Sequence, residues 1–133
     1  MQKVKKLIII NVWIVWGSII LLGSLLPAQH MPKFNLIDLF SIDKVLHFFC
    51  HGILTMLLLL GTKNKQQSIL HNKQIWQLVI AVILYGILIE LIQHFIIVNR
   101  QFDLLDIVAN IAGCLVGMLL FNKFLNQMRL SPV

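Results

Sequence analysis

Charged side chains are scarce in this sequence. They make up 12% of the 133 residues, whereas 59% of the residues are hydrophobic and the mean hydropathy is +0.88. A soluble domain of this size needs a larger share of polar residues to cover its surface. The composition therefore excludes an ordinary soluble domain and indicates an integral membrane protein.

Cysteine and the common catalytic motifs are also sparse. Cys50 and Cys114 are the two cysteines, and each lies inside an apolar run. Two distant thiols do not make a metal site without further ligands, so we expect both to be buried free cysteines. The sequence has no HExxH pair, no Ser or Cys nucleophile beside an obvious base, no internal repeat and no lipidation motif. These absences weigh against the familiar hydrolase classes.

Four apolar runs dominate what remains. A bilayer crossing needs roughly 20 mostly apolar residues, and the runs predict spans at about 7–26, 42–60, 75–98 and 104–121. The first run follows three lysines as a signal peptide would, but it exceeds a typical signal core and "PAQHMPK" is a poor cleavage site. We expect an all-α integral membrane four-helix bundle forming a single domain over residues 1–133.

The distribution of positive charge predicts the orientation. With four spans, the N-terminus, the loop between spans two and three and the C-terminal tail share one side. That side carries eight cationic residues: Lys3, Lys5, Lys6, Lys63, Lys65, Lys73, Lys123 and Arg129. The opposite side carries three, namely Lys33, Lys44 and Arg100. The positive-inside rule therefore places both termini in the cytoplasm. Because the lysines flank the spans, the net charge of +6 orients the protein and does not indicate a nucleic-acid partner.

Polar and ionisable residues inside the spans are the unusual feature. At helical spacing they form one stripe on each of spans two, three and four: Asp43, His47 and His51; Gly86, Glu90 and Gln93; Asp103, Asp106, Asn110, Gly113 and Gly117. With cytoplasmic termini, all three stripes lie at the outer ends of the spans. The cytoplasmic halves are almost pure hydrocarbon, so the sequence predicts an outward-facing cup rather than the continuous path of a transporter or channel.

Several of these residues also have a purely structural interpretation. Asp103 is placed to cap the start of span four, and Asp43 with Lys44 could form a solvated interface pair. Gly113 and Gly117 are typical of close helix packing.

Two residues are open to both a structural and a functional interpretation. Glu90 could form a buried ion pair with Arg100 or with His47. His94, beside the stripe of span three, could face either the cup or the lipid head groups.

Three segments resemble the VanZ-like family of small bacterial membrane proteins. They are "DKVLHFFCHGIL", "ELIQHF" and "RQFDLLDIVANIAG", and together they extend over nearly the whole chain. The matching positions are Asp43, Lys44, His47, Glu90, Gln93, Arg100, Asp103, Asp106, Asn110 and Gly113. Because the family often has an aromatic residue at the position of His51, the resemblance supports a role for His51 less. It implies a multi-pass protein of the bacterial plasma membrane, a cell-envelope context and an association with resistance to the glycopeptide teicoplanin, but no reaction.

Two functions fit these residues. In the first, which needs no cofactor or metal, the cup binds a membrane-lipid head group or a lipid-linked cell-wall intermediate. Lys44 and Arg100 engage its anionic oxygens, and the remaining residues of the binding set hold them in place: Asp43, His47, Glu90, Gln93, Asp103, Asp106 and Asn110. Self-association into a homo-oligomer is left open.

The second function is a membrane-embedded hydrolase or transferase acting on a lipid-linked substrate. His47 would be its general base, oriented by Asp43 or Asp106, and Glu90 a second acid–base group. A metal-dependent variant would use His47, Glu90 and Asp106 around Zn²⁺ or another divalent ion.

Overall fold

The computed structural model describes residues 2–25, 36–66, 70–97 and 102–130, with side chains described for 11–25, 42–63, 70–97 and 102–125. Four helices account for nearly all of these residues: α1 (Gln2–Ser24), α2 (Leu36–Gln66), α3 (Asn72–Ile96) and α4 (Leu104–Leu130). Each predicted span corresponds to one helix, with ends that differ by up to nine residues. The predicted all-α bundle is confirmed.

Local sequence explains features of the helices and of their starts. None of the residues in the four described helices is a proline, as expected for a residue that cannot donate to the helical hydrogen-bond ladder. At the start of α3, the Gln74 side chain accepts a hydrogen bond from the His71 backbone N–H at 3.0 Å. At the start of α4, the Asp103 carboxylate accepts one from the Leu105 backbone N–H at 2.8 Å. Both contacts satisfy N–H groups at or beside the helix start.

Within the residues whose side chains are described, length and hydropathy make three helical segments capable of crossing a membrane: Ile42–Lys63, Asn72–Ile96 and Leu104–Leu125. The apolar part of α1 with described side chains, Asn11–Ser24, is shorter. Large hydrophobic side chains such as Leu84, Phe95 and Leu119 are more than half exposed on the outside of the bundle. Such an apolar exterior suits contact with lipid rather than water.

Glycines bring α2 and α4 into the closest contact of the bundle. A Cβ atom on Gly113 would collide with the carbonyl oxygen of Phe48, and one on Gly117 with the carbonyl oxygen of Gly52. The packing role expected for Gly113 and Gly117 is thus fulfilled within the chain, against α2. This close approach places the polar stripes of α2 and α4 against each other.

Side-chain hydrogen bonds to backbone carbonyls attach α1 to the other helices. The Trp16 indole donates to the Cys50 carbonyl at 3.1 Å, and the Tyr85 hydroxyl donates to the Gly17 carbonyl at 2.6 Å. The Gln93 amide donates to the Ser24 carbonyl, at the C-terminal end of α1, at 2.7 Å. These bonds put the end of α1 level with the start of α2 and the end of α3.

Candidate functional site

The polar stripes meet at one end of the bundle, where α1 and α3 end and α2 and α4 begin. We call the residues that meet there the polar cluster: Asp43, Lys44, His47, Glu90, Asp103, Asp106 and Asn110. It contains four of the five acidic residues of the chain. His47, Glu90, Asp106 and Asn110 are each no more than 7% exposed. Buried polar groups gathered in this way avoid the cost of lying alone in hydrocarbon.

Lys44 connects α2 to the start of α4. Its Nζ donates to Asp103 Oδ2 at 2.7 Å and to Asp106 Oδ1 at 3.3 Å. The hydrogen bond from Lys44 holds the pKa of Asp103 below its ordinary value. Asp103 therefore caps α4 through one carboxylate oxygen and pairs with Lys44 through the other. Asp43, for which an ion pair with Lys44 was considered, lies instead beside His47.

Asn110 orients the His47 ring. His47 Nδ1 lies 3.1 Å from Asn110 Oδ1, and an amide oxygen only accepts hydrogen bonds. With the Asn110 amide in this orientation, Nδ1 carries a proton and Nε2 is the nitrogen available to a ligand. The enzyme hypothesis expected Asp43 or Asp106 to orient the ring. The structure differs, since both carboxylates lie on the Nε2 side.

Three carboxylates surround His47 Nε2. The nearest oxygens are Glu90 Oε1 at 3.6 Å, Asp43 Oδ1 at 3.7 Å and Asp106 Oδ2 at 4.0 Å. All three distances exceed that of a charge-assisted hydrogen bond, roughly 2.7–2.9 Å. One atom each from Asp43, His47 and Asp106 lies within 4.8 Å of the other two, a spacing suited to a metal ion. The metal variant inferred from sequence named Glu90 in place of Asp43.

A cavity of about 250 Å³ opens between α1 and α2 beside the polar cluster. Its polar wall is formed by Asp43, His47, His51 and Gln93, and α1 supplies an apolar wall that includes Trp16, Ile19 and Ile20. We call it the polar-walled cavity. A separate apolar groove of about 340 Å³, lined by Trp13, Ser18, Leu58 and Tyr85 among others, lies beside a different part of α1.

Two buried residues of the polar-walled cavity have an atom without a hydrogen-bond partner among the described residues. Gln93 donates through Nε2 to α1, which leaves its Oε1 as an acceptor. His51 Nδ1 lies 3.1 Å from the His47 carbonyl, which can only accept, so His51 Nε2 is an acceptor in the neutral ring. Such groups are costly when buried and normally have a partner.

Gln93 and His94, which were predicted or considered for the site, lie outside the polar cluster. Gln93 lines the cavity but bonds to Ser24 rather than joining the polar cluster. Arg100 lies outside the described residues. His94 is exposed, and its ring meets those of Phe95 and Phe102 rather than the cluster. Cys50 and Cys114 are free thiols, half-buried and buried respectively.

Sequence reasoning missed the contribution of α1. Trp16 lines the polar-walled cavity and Ser24 supplies the carbonyl that anchors Gln93. The sequence feature that could have predicted this contribution is the indole N–H of Trp16, which needs a hydrogen-bond acceptor when it lies in an apolar span. His51, which the family resemblance supported less, is fully buried and lines the same cavity.

The sequence model of the VanZ/LLP1 family matches residues 5–126 of the chain. No curated protein and no solved structure matches it.

Proposed function

The chain belongs to the VanZ/LLP1 family, and we propose that it is a membrane protein whose polar-walled cavity binds the head group of a cell-envelope lipid. The lipid would be a membrane phospholipid or a lipid-linked cell-wall intermediate at the outer face of the plasma membrane. The observation that carries this proposal is the two-sided lining of the cavity. A polar wall from α2 and α3 faces an apolar wall from α1 at one end of an apolar bundle.

The described groups favour a head group that donates hydrogen bonds. Gln93 Oε1 is a buried acceptor of a residue that lines the cavity, whereas His51 Nε2 lies against Gly86 of α3, where an added Cβ would come within 2.9 Å of it. A hydroxyl, amide or ammonium group would satisfy Gln93 Oε1, whereas a bare phosphate oxygen would not. Ligand recognition of this kind commonly uses a mostly apolar pocket with a few polar groups that fix orientation.

We propose a different role for Lys44 from the one expected from the sequence. The sequence suggested that it engages anionic oxygens of the ligand, but its ammonium group already contacts Asp103 and Asp106. We therefore assign Lys44 to holding α2 against the start of α4. The head group would then be recognised mainly by Gln93 and by the carboxylates near His47.

Native mass spectrometry of the purified protein, with a cavity-filling variant, tests the proposal. Gly23 lines the cavity, and a Cβ there meets nothing within 4 Å, so Gly23→Leu should fill the cavity without disturbing the packing. We expect the parent to retain lipid at about one molecule per chain and Gly23→Leu to lose most of it. Ser18→Leu, on the separate apolar groove, is the matched control and should keep the lipid. Equal lipid retention in Gly23→Leu and the parent would contradict the proposal.

A membrane-embedded enzyme is the second candidate, because His47 both lines the cavity and has three carboxylates within 4.0 Å of Nε2. A general base in that place would face the bound head group. The same mass spectra separate the two functions. An enzyme should yield product masses in the parent and substrate masses in His47→Gln, whereas a binding protein should yield the same lipid masses in both.

A further inference from the structure

We infer that Asp43, His47 and Asp106 form a binding site for one divalent metal ion. Each residue offers one ligand atom, and the three atoms lie within 4.8 Å of one another. The inference shares residues with the proposed lipid site but rests on ligand geometry alone, so it does not depend on lipid binding.

Distances around His47 support a common centre rather than a set of ion pairs. Asp43 Oδ1 and Asp106 Oδ2 lie 3.7 Å and 4.0 Å from His47 Nε2. Ligands held at about 2.1 Å around a tetrahedral ion are separated by roughly 3.4 Å. A small inward shift of the two carboxylates would bring the three ligand atoms to this spacing. A protonated imidazole would instead be expected to close one short bond to a single carboxylate.

The His47 ring is prepared for metal binding by its second nitrogen. His47 is more than nine-tenths buried, and its Nδ1 is fixed by Asn110 Oδ1 at 3.1 Å. A hydrogen bond from the non-coordinating nitrogen to an oxygen is the usual way in which proteins orient a metal-binding histidine. The hydrogen bond to Asn110 directs the Nε2 lone pair of His47 toward Asp43 and Asp106. A cation bound between these groups would remove the repulsion between the lone pair and the carboxylates.

Asp106 divides its two oxygens between two groups. Oδ1 accepts a hydrogen bond from Lys44, and Oδ2 faces His47 Nε2. Lys44 therefore orients a ligating carboxylate, as the hydrogen-bonded partners of metal ligands commonly do. Glu90 Oε1, 3.6 Å from Nε2, lies close enough to add a further oxygen or to hold a coordinated water.

The donor set indicates the class of ion. One imidazole with two carboxylates suits Zn²⁺ or Mn²⁺ better than Mg²⁺ or Ca²⁺, which prefer oxygen alone. Three protein ligands leave at least one coordination position open, as in sites that bind exchangeable ligands. Because Asp43 and His47 line the polar-walled cavity, that position would be reached from the cavity.

Mn²⁺ titration of the purified, EDTA-stripped protein in detergent, followed by electron paramagnetic resonance, tests the inference. Mn²⁺ is the probe because it prefers nitrogen and oxygen ligands, so Cys50 and Cys114 should not compete. We expect one bound Mn²⁺ per chain, with an imidazole nitrogen coupling in the pulsed spectrum. Zn²⁺ should displace it.

Three variants make the test specific. Asp43→Asn lies at the partly exposed rim and should fold, yet lose affinity by more than the roughly 10–100-fold typical of second-shell changes. His47→Gln should remove the nitrogen coupling. His94→Gln, which alters an exposed histidine away from the cluster, should change neither quantity.

The outcome that would overturn the metal site is an absence of stoichiometric Mn²⁺ binding by the parent, or equal affinity in the parent and Asp43→Asn. Gly23→Leu keeps all three ligands and should still bind Mn²⁺, whether or not it retains lipid. If the parent retains lipid but does not bind Mn²⁺, the metal site is wrong and the lipid site is not affected. If it binds Mn²⁺ but retains no lipid, the lipid site is wrong and the metal site is not affected.

Discussion

At the scale of single residues, the polar cluster is organised by side chains that use each polar atom for a different partner. Asp103 caps α4 with Oδ1 and pairs with Lys44 through Oδ2. Asp106 pairs with Lys44 through Oδ1 and faces His47 with Oδ2. A buried ion pair is weak evidence for stability, because desolvation offsets much of the attraction. The arrangement is better understood as fixing the positions of His47 and Asp106.

The Lys44–Asp103 contact makes stability depend on pH. Lys44 lowers the pKa of Asp103 in the folded protein below its ordinary value of 3.8. A carboxyl with a lowered folded-state pKa contributes stability that is fully present above its ordinary value and is lost as the pH falls through the folded-state pKa. We therefore expect the parent to melt higher than Asp103→Asn at neutral pH. The difference should shrink as the pH drops below about 3.8.

Thermal melting in detergent at a series of pH values measures this difference. Asn remains an acceptable helix cap, so Asp103→Asn isolates the charge from the cap. A gap between the two melting temperatures that is constant down to the lowest pH would rule out the ion pair as its cause.

Sequence reasoning identified the residues of the cluster but not all their contacts. Helical spacing correctly placed Asp43, His47 and Glu90 near one another, because a stripe on a buried helix has to face the bundle. It could not choose between the cup and the lipid for His94, since a small rotation of α3 decides that. It also could not reveal that Asn110 rather than a carboxylate orients His47, because both are within reach and only side-chain geometry separates them.

At the scale of helices, the α2–α4 contact determines the site. Adding a methyl group at Gly117 would force its Cβ against the Gly52 carbonyl and to 3.2 Å from the Thr55 Cβ. Backbone atoms cannot move aside as a flexible side chain can, so α2 and α4 must separate. We expect Gly117→Ala to destabilise the protein by about 1–3 kcal/mol, the usual cost of overpacking. It should also weaken the Lys44 contacts that bridge the two helices.

Thermal melting or chemical denaturation in detergent gives the size of this effect. Gly23→Ala is the matched control, because a Cβ at Gly23 meets nothing within 4 Å. Parent-like stability of Gly117→Ala would mean that the two helices are not packed as closely as described.

Four helices could be predicted from the sequence because each apolar run is long and free of proline. The helix that packs against Gly113 and Gly117 could not be predicted. The pattern indicates a close-packing face but does not say whether a helix of the same chain or of another copy covers it. The position of α1 was equally hidden. Its side chains carry no polar stripe, and it is attached through backbone carbonyls that a sequence does not distinguish.

At the scale of the whole molecule, the antiparallel arrangement collects the polar residues of three helices at one end. Glu90 lies six residues before the end of α3, roughly 9 Å deep at 1.5 Å per residue. The proposed functions require that this end face outward, where envelope lipids and their linked intermediates are exposed. The eight-to-three partition of cationic residues predicts that orientation and stays a prediction.

Cysteine accessibility in intact bacteria tests the outward orientation of the cavity most directly. In a background with Cys50→Ser and Cys114→Ala, single cysteines are introduced as Asn35→Cys, directly before α2 in the sequence, and Gln67→Cys, directly after it. Asn35→Cys should react with a membrane-impermeant maleimide on intact cells, and Gln67→Cys only after the membrane is permeabilised. The reverse pattern would place the polar cluster at the cytoplasmic face and contradict the proposed binding of an outer-leaflet head group.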